Sequence, residues 1–110
     1  MTGPIAFKVQ ANLQWQVRQT KTGAFVGTCE PLGLATEGVD PLELYLNANE
    51  SVQLVMNDLL KTGQLDSFLR ERGWRVISRP QGTVTGPVPF EVPMELVAQQ
   101  AQRDPSRSAY

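Results

Sequence analysis

Few residues in this chain are equipped for chemistry, and their spacing says more than their number. The 110-residue sequence contains no histidine and a single cysteine, Cys29. Without histidine there is no Ser–His–Asp or Cys–His machinery, no imidazole metal ligand and no ordinary general base near neutral pH. Cys29 has no histidine to activate it as a nucleophile. At the end of a strand-like segment, a cysteine usually behaves as a small hydrophobe. Carboxylates are the remaining candidates. A two-metal nuclease needs several of them converging on strand ends, yet the first acidic residue is Glu30. Glycine-rich phosphate loops, a GxSxG elbow and metal-spaced cysteine sets are all missing from the sequence. The expectation is a binding protein and not an enzyme, with no cofactor and no metal.

Charge is distributed unevenly although the net formal charge is only −1. Residues 37–60 carry Glu37, Asp40, Glu43, Glu50 and Asp58 and no basic residue. Residues 61–79 reverse the sign, with Lys61, Arg70, Arg72, Arg75 and Arg79 against Asp66 and Glu71. Charge runs are most often solvated faces, but a polarised surface can also orient a charged partner. Glu37, Glu43, Glu50 and Asp58 are the candidate partner-binding residues, together with Leu54, which falls on the wet side of a helix. Arg70, Arg72, Arg75 and Arg79 surround Trp74, the composition of a nucleic-acid contact. Glu71 interrupts that cluster, and arginines near a helix C-terminus also serve the helix dipole, so a structural role is favoured for them.

The elements that must position these residues are legible from periodicity. Ile5, Phe7, Val9, Ala11, Leu13, Trp15 and Val17 alternate with mostly polar residues, the pattern of a strand with one dry face. Thr20 to Gly23 supplies a hairpin turn. A second strand, Ala24 to Cys29, stops at Pro31, and Leu34 to Gly38 makes a short third. Asp40 then reads as an N-cap, Pro41 as the first helical residue and Glu43 as the capping-box acid. On a helical wheel Tyr45, Ala48, Val52, Val55, Met56 and Leu59 share the inner face. Leu42, Leu46 and Leu60 flank it on one side and Leu44 on the other, and Gly63 closes the helix. Asn49 falls inside the apolar arc, where it would bond nearby backbone. A short helix over 64–72 and a strand over 74–78 follow, with Trp15 and Trp74 as core residues. Pro80 to Pro89 reads as a loop, Phe90 to Val92 as extended, and Met94 to Gln102 as a last helix.

These elements predict an α+β fold, an antiparallel sheet of three to four strands with the amphipathic helix packed on one face. Residues 1–79 form the main domain and 80–110 an appendage. Hydrophobic residues make up 41% of the chain, enough for one core at this length. No apolar run approaches the roughly 20 residues of a membrane span, so no membrane is expected. The lone cysteine and the lack of a secretory leader pattern point to the cytoplasm.

One stretch carries a family resemblance. From Gly23 to Gly38 the chain shows a hairpin glycine, the aromatic–valine pair Phe25-Val26, the small Gly27 and a stop at Cys29-Glu30-Pro31. A turn at Leu32-Gly33 and a short strand bearing Thr36 follow, and Val39-Asp40-Pro41-Leu42-Glu43 opens the helix. In this order the stretch resembles the HicB-like antitoxin family, and Phe68 to Trp74 is similar to a segment of its solitary members. The resemblance spans about residues 5 to 78. It implies a degenerate ribonuclease H-like fold without the nuclease carboxylates, and a domain that binds and masks a small basic ribonuclease toxin and self-associates as a homodimer or higher oligomer. Many members add a C-terminal DNA-binding module. After Arg79 this chain offers one candidate helix, where a ribbon-helix-helix needs two, which puts DNA binding in doubt. The alternatives are a solitary protein-interaction module without a toxin and a weak nucleic-acid binder acting through Arg70 to Arg79.

Overall fold

The computed structural model describes residues 6–80 and 87–98. The long alternating segment at the start forms two strands, β1 (Phe7–Gln10) and β2 (Leu13–Gln19), separated at Ala11 and Asn12. Phe7, Val9, Leu13 and Trp15 are buried and the residues between them are not, so the alternation of faces runs through the break. The hydrogen-bond partners do not. β1 lies in one sheet and β2 in another. Side-chain period reports which face is dry; it is silent on which ladder the backbone joins.

β2 turns through Thr20–Gly23 into β3 (Phe25–Cys29), with Thr20 N–H donating to the Ala24 carbonyl at 2.8 Å. Gly23 sits at φ 94°, where a side chain would be strained. A single 3-10 turn, Glu30–Leu32, carries the proline stop and leads into β4 (Leu34–Gly38). Helix α1 (Pro41–Lys61) follows, then α2 (Leu65–Glu71) and β5 (Arg75–Ser78). The chain ends its described course in β6 (Phe90–Glu91) and β7 (Met94–Ala98).

The fold is α+β, but the sheets are mixed and there are two of them. One has the order β5-β1-β6 and the other β4-β3-β2-β7. The β2–β3–β4 meander and the β1–β5 pair are antiparallel, as expected, whereas β6 runs parallel to β1 and β7 parallel to β2. The predicted helix at 94–102 is a strand over 94–98; the remainder lies outside the described residues. Pairing with β2 overrides helix propensity here. Leu13 stands opposite Met94 and Trp15 opposite Leu96, so β7 covers the edge of the strand that carries the largest core side chain.

Asp40 caps α1 as predicted, its Oδ1 accepting from Glu43 N–H at 2.8 Å. Glu43 reaches back to Val39 N–H at 2.6 Å, one residue before the usual capping-box donor. The buried face of α1 is Leu44, Ala48, Val52 and Met56. Tyr45, placed inside by the wheel, is 41% exposed, and Leu42 and Leu46 are exposed too. The helix is rotated toward Leu44 because the sheet leaves room there. A Cβ on Gly38 would lie 2.5 Å from Leu44 N, and one on Gly27 would meet the Leu44 side chain and Trp15 at 3.4 Å. Burying Leu44, Val52 and Met56 contributes about 1.5–3 kcal/mol each before chain entropy is counted.

Trp15 is fully buried and its indole N–H has no acceptor among the described residues. Trp74 packs against the same core while remaining half-buried.

Candidate protein-interaction surface

The acidic residues singled out by charge lie on β4 and α1. Glu37 is on β4, on the solvated face opposite Val26. Its carbonyl accepts from Asn47 Nδ2 at 2.8 Å, a bond that ties the strand to the helix. Glu43 occupies the first turn of α1 and is committed to the cap at Val39. Glu50, Leu54 and Asp58 follow at intervals of four and are all exposed. Residues that far apart share one helix face, so the structure brings these three together, with Glu43 two turns before Glu50 near the same line. Ion pairs among the described residues are Lys8–Glu91, Arg72–Glu71 and Arg79–Asp66. None reaches Glu37, Glu43, Glu50 or Asp58.

The surface also contains Leu42 and Leu46, which the helical wheel had set beside the inner face and which are 67% and 56% exposed. Leu54, expected on the wet side, is 67% exposed, and Val39 before the cap 71%. The apolar side chains of α1 extend well round the helix, and a wheel alone cannot say which side faces the sheet. The discriminating signal was available in the strands: Gly27 and Gly38 leave the space that seats Leu44.

The arginines are used differently. Arg72 donates to the Pro31 carbonyl at 3.0 Å and the Phe68 carbonyl at 2.9 Å, with its guanidinium 3.5 Å above the Phe68 ring. Arg75 donates to Gln10 Oε1 at 2.7 Å, joining β5 to β1. Arg79 meets Asp66 at 2.6 Å, joining the end of β5 to α2. Arg70 is exposed near the end of α2. Three of the four guanidiniums are therefore engaged in linking elements, a geometry that favours the structural reading of this cluster.

Asn49, expected to bond backbone within the apolar arc, is exposed, and its Oδ1 accepts from Gln53 Nε2 at 3.4 Å. With Tyr45, Ile77, Val92 and Pro93 it borders a groove of about 500 Å³. Cys29 is fully buried. Burial pushes its thiol above the ordinary range, opposed by a hydrogen bond from the Leu32 backbone, so the thiolate needed for nucleophilic attack is disfavoured. Among the described residues no group of three or more Asp, Glu, Cys or His is placed to hold a metal ion, and no helix is long and apolar enough to cross a membrane.

No family model, no curated protein and no solved structure matches the chain.

Proposed function

We propose that this chain is a non-catalytic protein-binding domain of the HicB-like antitoxin type, which neutralises a small basic ribonuclease toxin by masking it. The observation that carries the reading is the outer face of α1. Glu50 and Asp58 stand beside exposed Leu54, Glu37 and Glu43 lie toward the helix start, and no cation among the described residues neutralises them. A surface of that kind is matched by a cationic partner, which gains both steering and specificity from the charge. The acid-free β1 and β2 agree with a degenerate ribonuclease H-like sheet lacking nuclease carboxylates. A cytoplasmic location and self-association belong to the same proposal.

The test is co-purification from the native host of the tagged full chain, with intact-mass measurement of what is retained. A small basic protein whose ribonuclease activity falls when the chain is added supports the reading. Capture of only neutral or acidic proteins, or a basic partner without ribonuclease activity, removes the antitoxin assignment. Glu50→Lys with Asp58→Lys should abolish capture and leave the fold intact. Glu43→Lys is a poor probe, because that carboxylate also holds the start of the helix. Light scattering on the free chain reads self-association directly.

A further inference from the structure

Helix α1 carries two apolar rows, and the fold covers one. Leu44, Ala48, Val52 and Met56 form the covered row. Leu42, Leu46, Glu50, Leu54 and Asp58 also succeed one another at intervals of four, and all five are exposed. Such a row is one of the ridges by which helices interdigitate. At 1.5 Å per residue it is about 24 Å long. Val39, just before the cap, is exposed as well.

We infer that this outer ridge is the docking line for a basic amphipathic helix of a protein partner. The inference rests on the reading above and deepens it, since it assigns the secondary structure and side-chain chemistry of what binds. Three leucines exposed on one helix face need an apolar stripe opposite them. Charge then selects among apolar helices. Glu50 and Asp58 interrupt the leucines on the ridge, Glu43 flanks it, and none has a cationic partner among the described residues. A neutral or acidic helix would desolvate these carboxylates without compensation. A second copy of the same ridge, laid antiparallel, would set Glu50 against Glu50. Lysine and arginine meet both demands, because their aliphatic stems lie on leucine while their charged heads reach the carboxylates. Nucleic acid satisfies neither.

The probe is a fluorescent leucine–lysine peptide of the length of α1, with leucines at helical spacing. One control replaces every lysine by glutamate; another scrambles the order so that no apolar stripe forms. Anisotropy titrations use the full chain. The wild type should bind the leucine–lysine peptide and neither control, with affinity falling as salt is raised. Leu42→Ser with Leu46→Ser should weaken binding about tenfold or more, as should Glu50→Lys with Asp58→Lys, and circular dichroism should show both variants folded. No binding by the wild type, equal binding of the scrambled peptide, or unchanged binding by the leucine variant would each overturn the ridge assignment. The two readings fail separately. A basic protein from the host that is still captured in full by the leucine variant removes the ridge and leaves the partner class standing. A ridge that binds the peptide in a chain that captures no ribonuclease keeps the docking line and removes the antitoxin reading.

Discussion

Gln53 holds Phe90 by both ends of its amide. Nε2 donates to the Phe90 carbonyl and Oε1 accepts from the Phe90 N–H, each at 2.8 Å. One turn along α1, Asn57 does the same to Val88, donating to its carbonyl at 2.9 Å and accepting from its N–H at 2.8 Å. The intervening Pro89 offers its carbonyl to Phe7 N–H at 3.0 Å. The extended segment 88–90 is thus bonded on one edge by a strand and on the other by two amides of a helix. Four helical residues rise about 6 Å, close to the roughly 6.6 Å spanned by two residues of a strand, so successive amides find alternate peptide groups.

Gln53→Ala and Asn57→Ala each remove two hydrogen bonds to the 88–90 segment, besides one within α1, and leave partly buried backbone groups without partners. Each should lower stability by about 1–3 kcal/mol in urea denaturation. The double variant should cost less than the two singles together, because the second amide loses its register once the first is gone. A change within about 0.5 kcal/mol for Gln53→Ala would show that water replaces the amide at no cost.

Gly38→Ala should be among the most damaging single-methyl changes in the chain. The added carbon would lie 2.5 Å from Leu44 N and 2.9 Å from the Glu43 carbonyl carbon, backbone that cannot rotate away. The start of α1 must shift, at about 1–3 kcal/mol. Leu54→Ser on the outer face should change stability by less than about 0.5 kcal/mol. Thermal melts of the two variants side by side read the contrast; equal effects would contradict the close seat of the helix.

Much of this architecture is legible in the residues, and the misses share one cause. The cap at Asp40, the hairpin glycine and the proline stop each act within a few residues, so local chemistry settles them. The rotation of α1 depends on what Gly27 and Gly38 leave open across the interface, and the fate of 94–98 depends on a strand at the other end of the chain. Yet Phe90, Val92, Met94 and Leu96 alternate with Glu91, Pro93 and Glu95, a period of two that outweighs the helix-forming composition of Met94 to Ala98. On the surface, the acidic set was readable as a helix face. The exposed Leu42 and Leu46 beside it were not, because the wheel sets them on the flank of the apolar arc and cannot say how far that arc turns toward the sheet.

Cys29 gives a prediction in pH. Its folded-state pKa is raised by burial, so the unfolded chain releases the thiol proton first. Stability is unaffected by this group below the unfolded value of about 8.5 and falls as pH rises above it. Cys29→Ala should flatten that alkaline decline while lowering stability at neutral pH through the lost packing. Native thiol titration with a chromogenic disulfide reagent should be slow and should become fast on adding denaturant; rapid labelling of the native chain would contradict the burial.

Ending the chain after Val92 removes β7 and opens one edge of β2 along Leu13 to Val17. Loss of a cooperative melt and association through the uncovered edge are expected, measurable by calorimetry and sedimentation. A sharp, monomeric transition in that variant would show that β7 is dispensable.

The two rows of α1 divide the helix between separate kinds of selection. Substitutions along Leu44, Ala48, Val52 and Met56 are filtered by whether the protein folds at all. Along Leu42, Leu46, Glu50, Leu54 and Asp58 they alter nothing beneath them, so this side is free to drift in step with whatever it meets. If the proposed docking line holds, a lineage could exchange one companion for another by rewriting five positions, and the architecture underneath would not register the change.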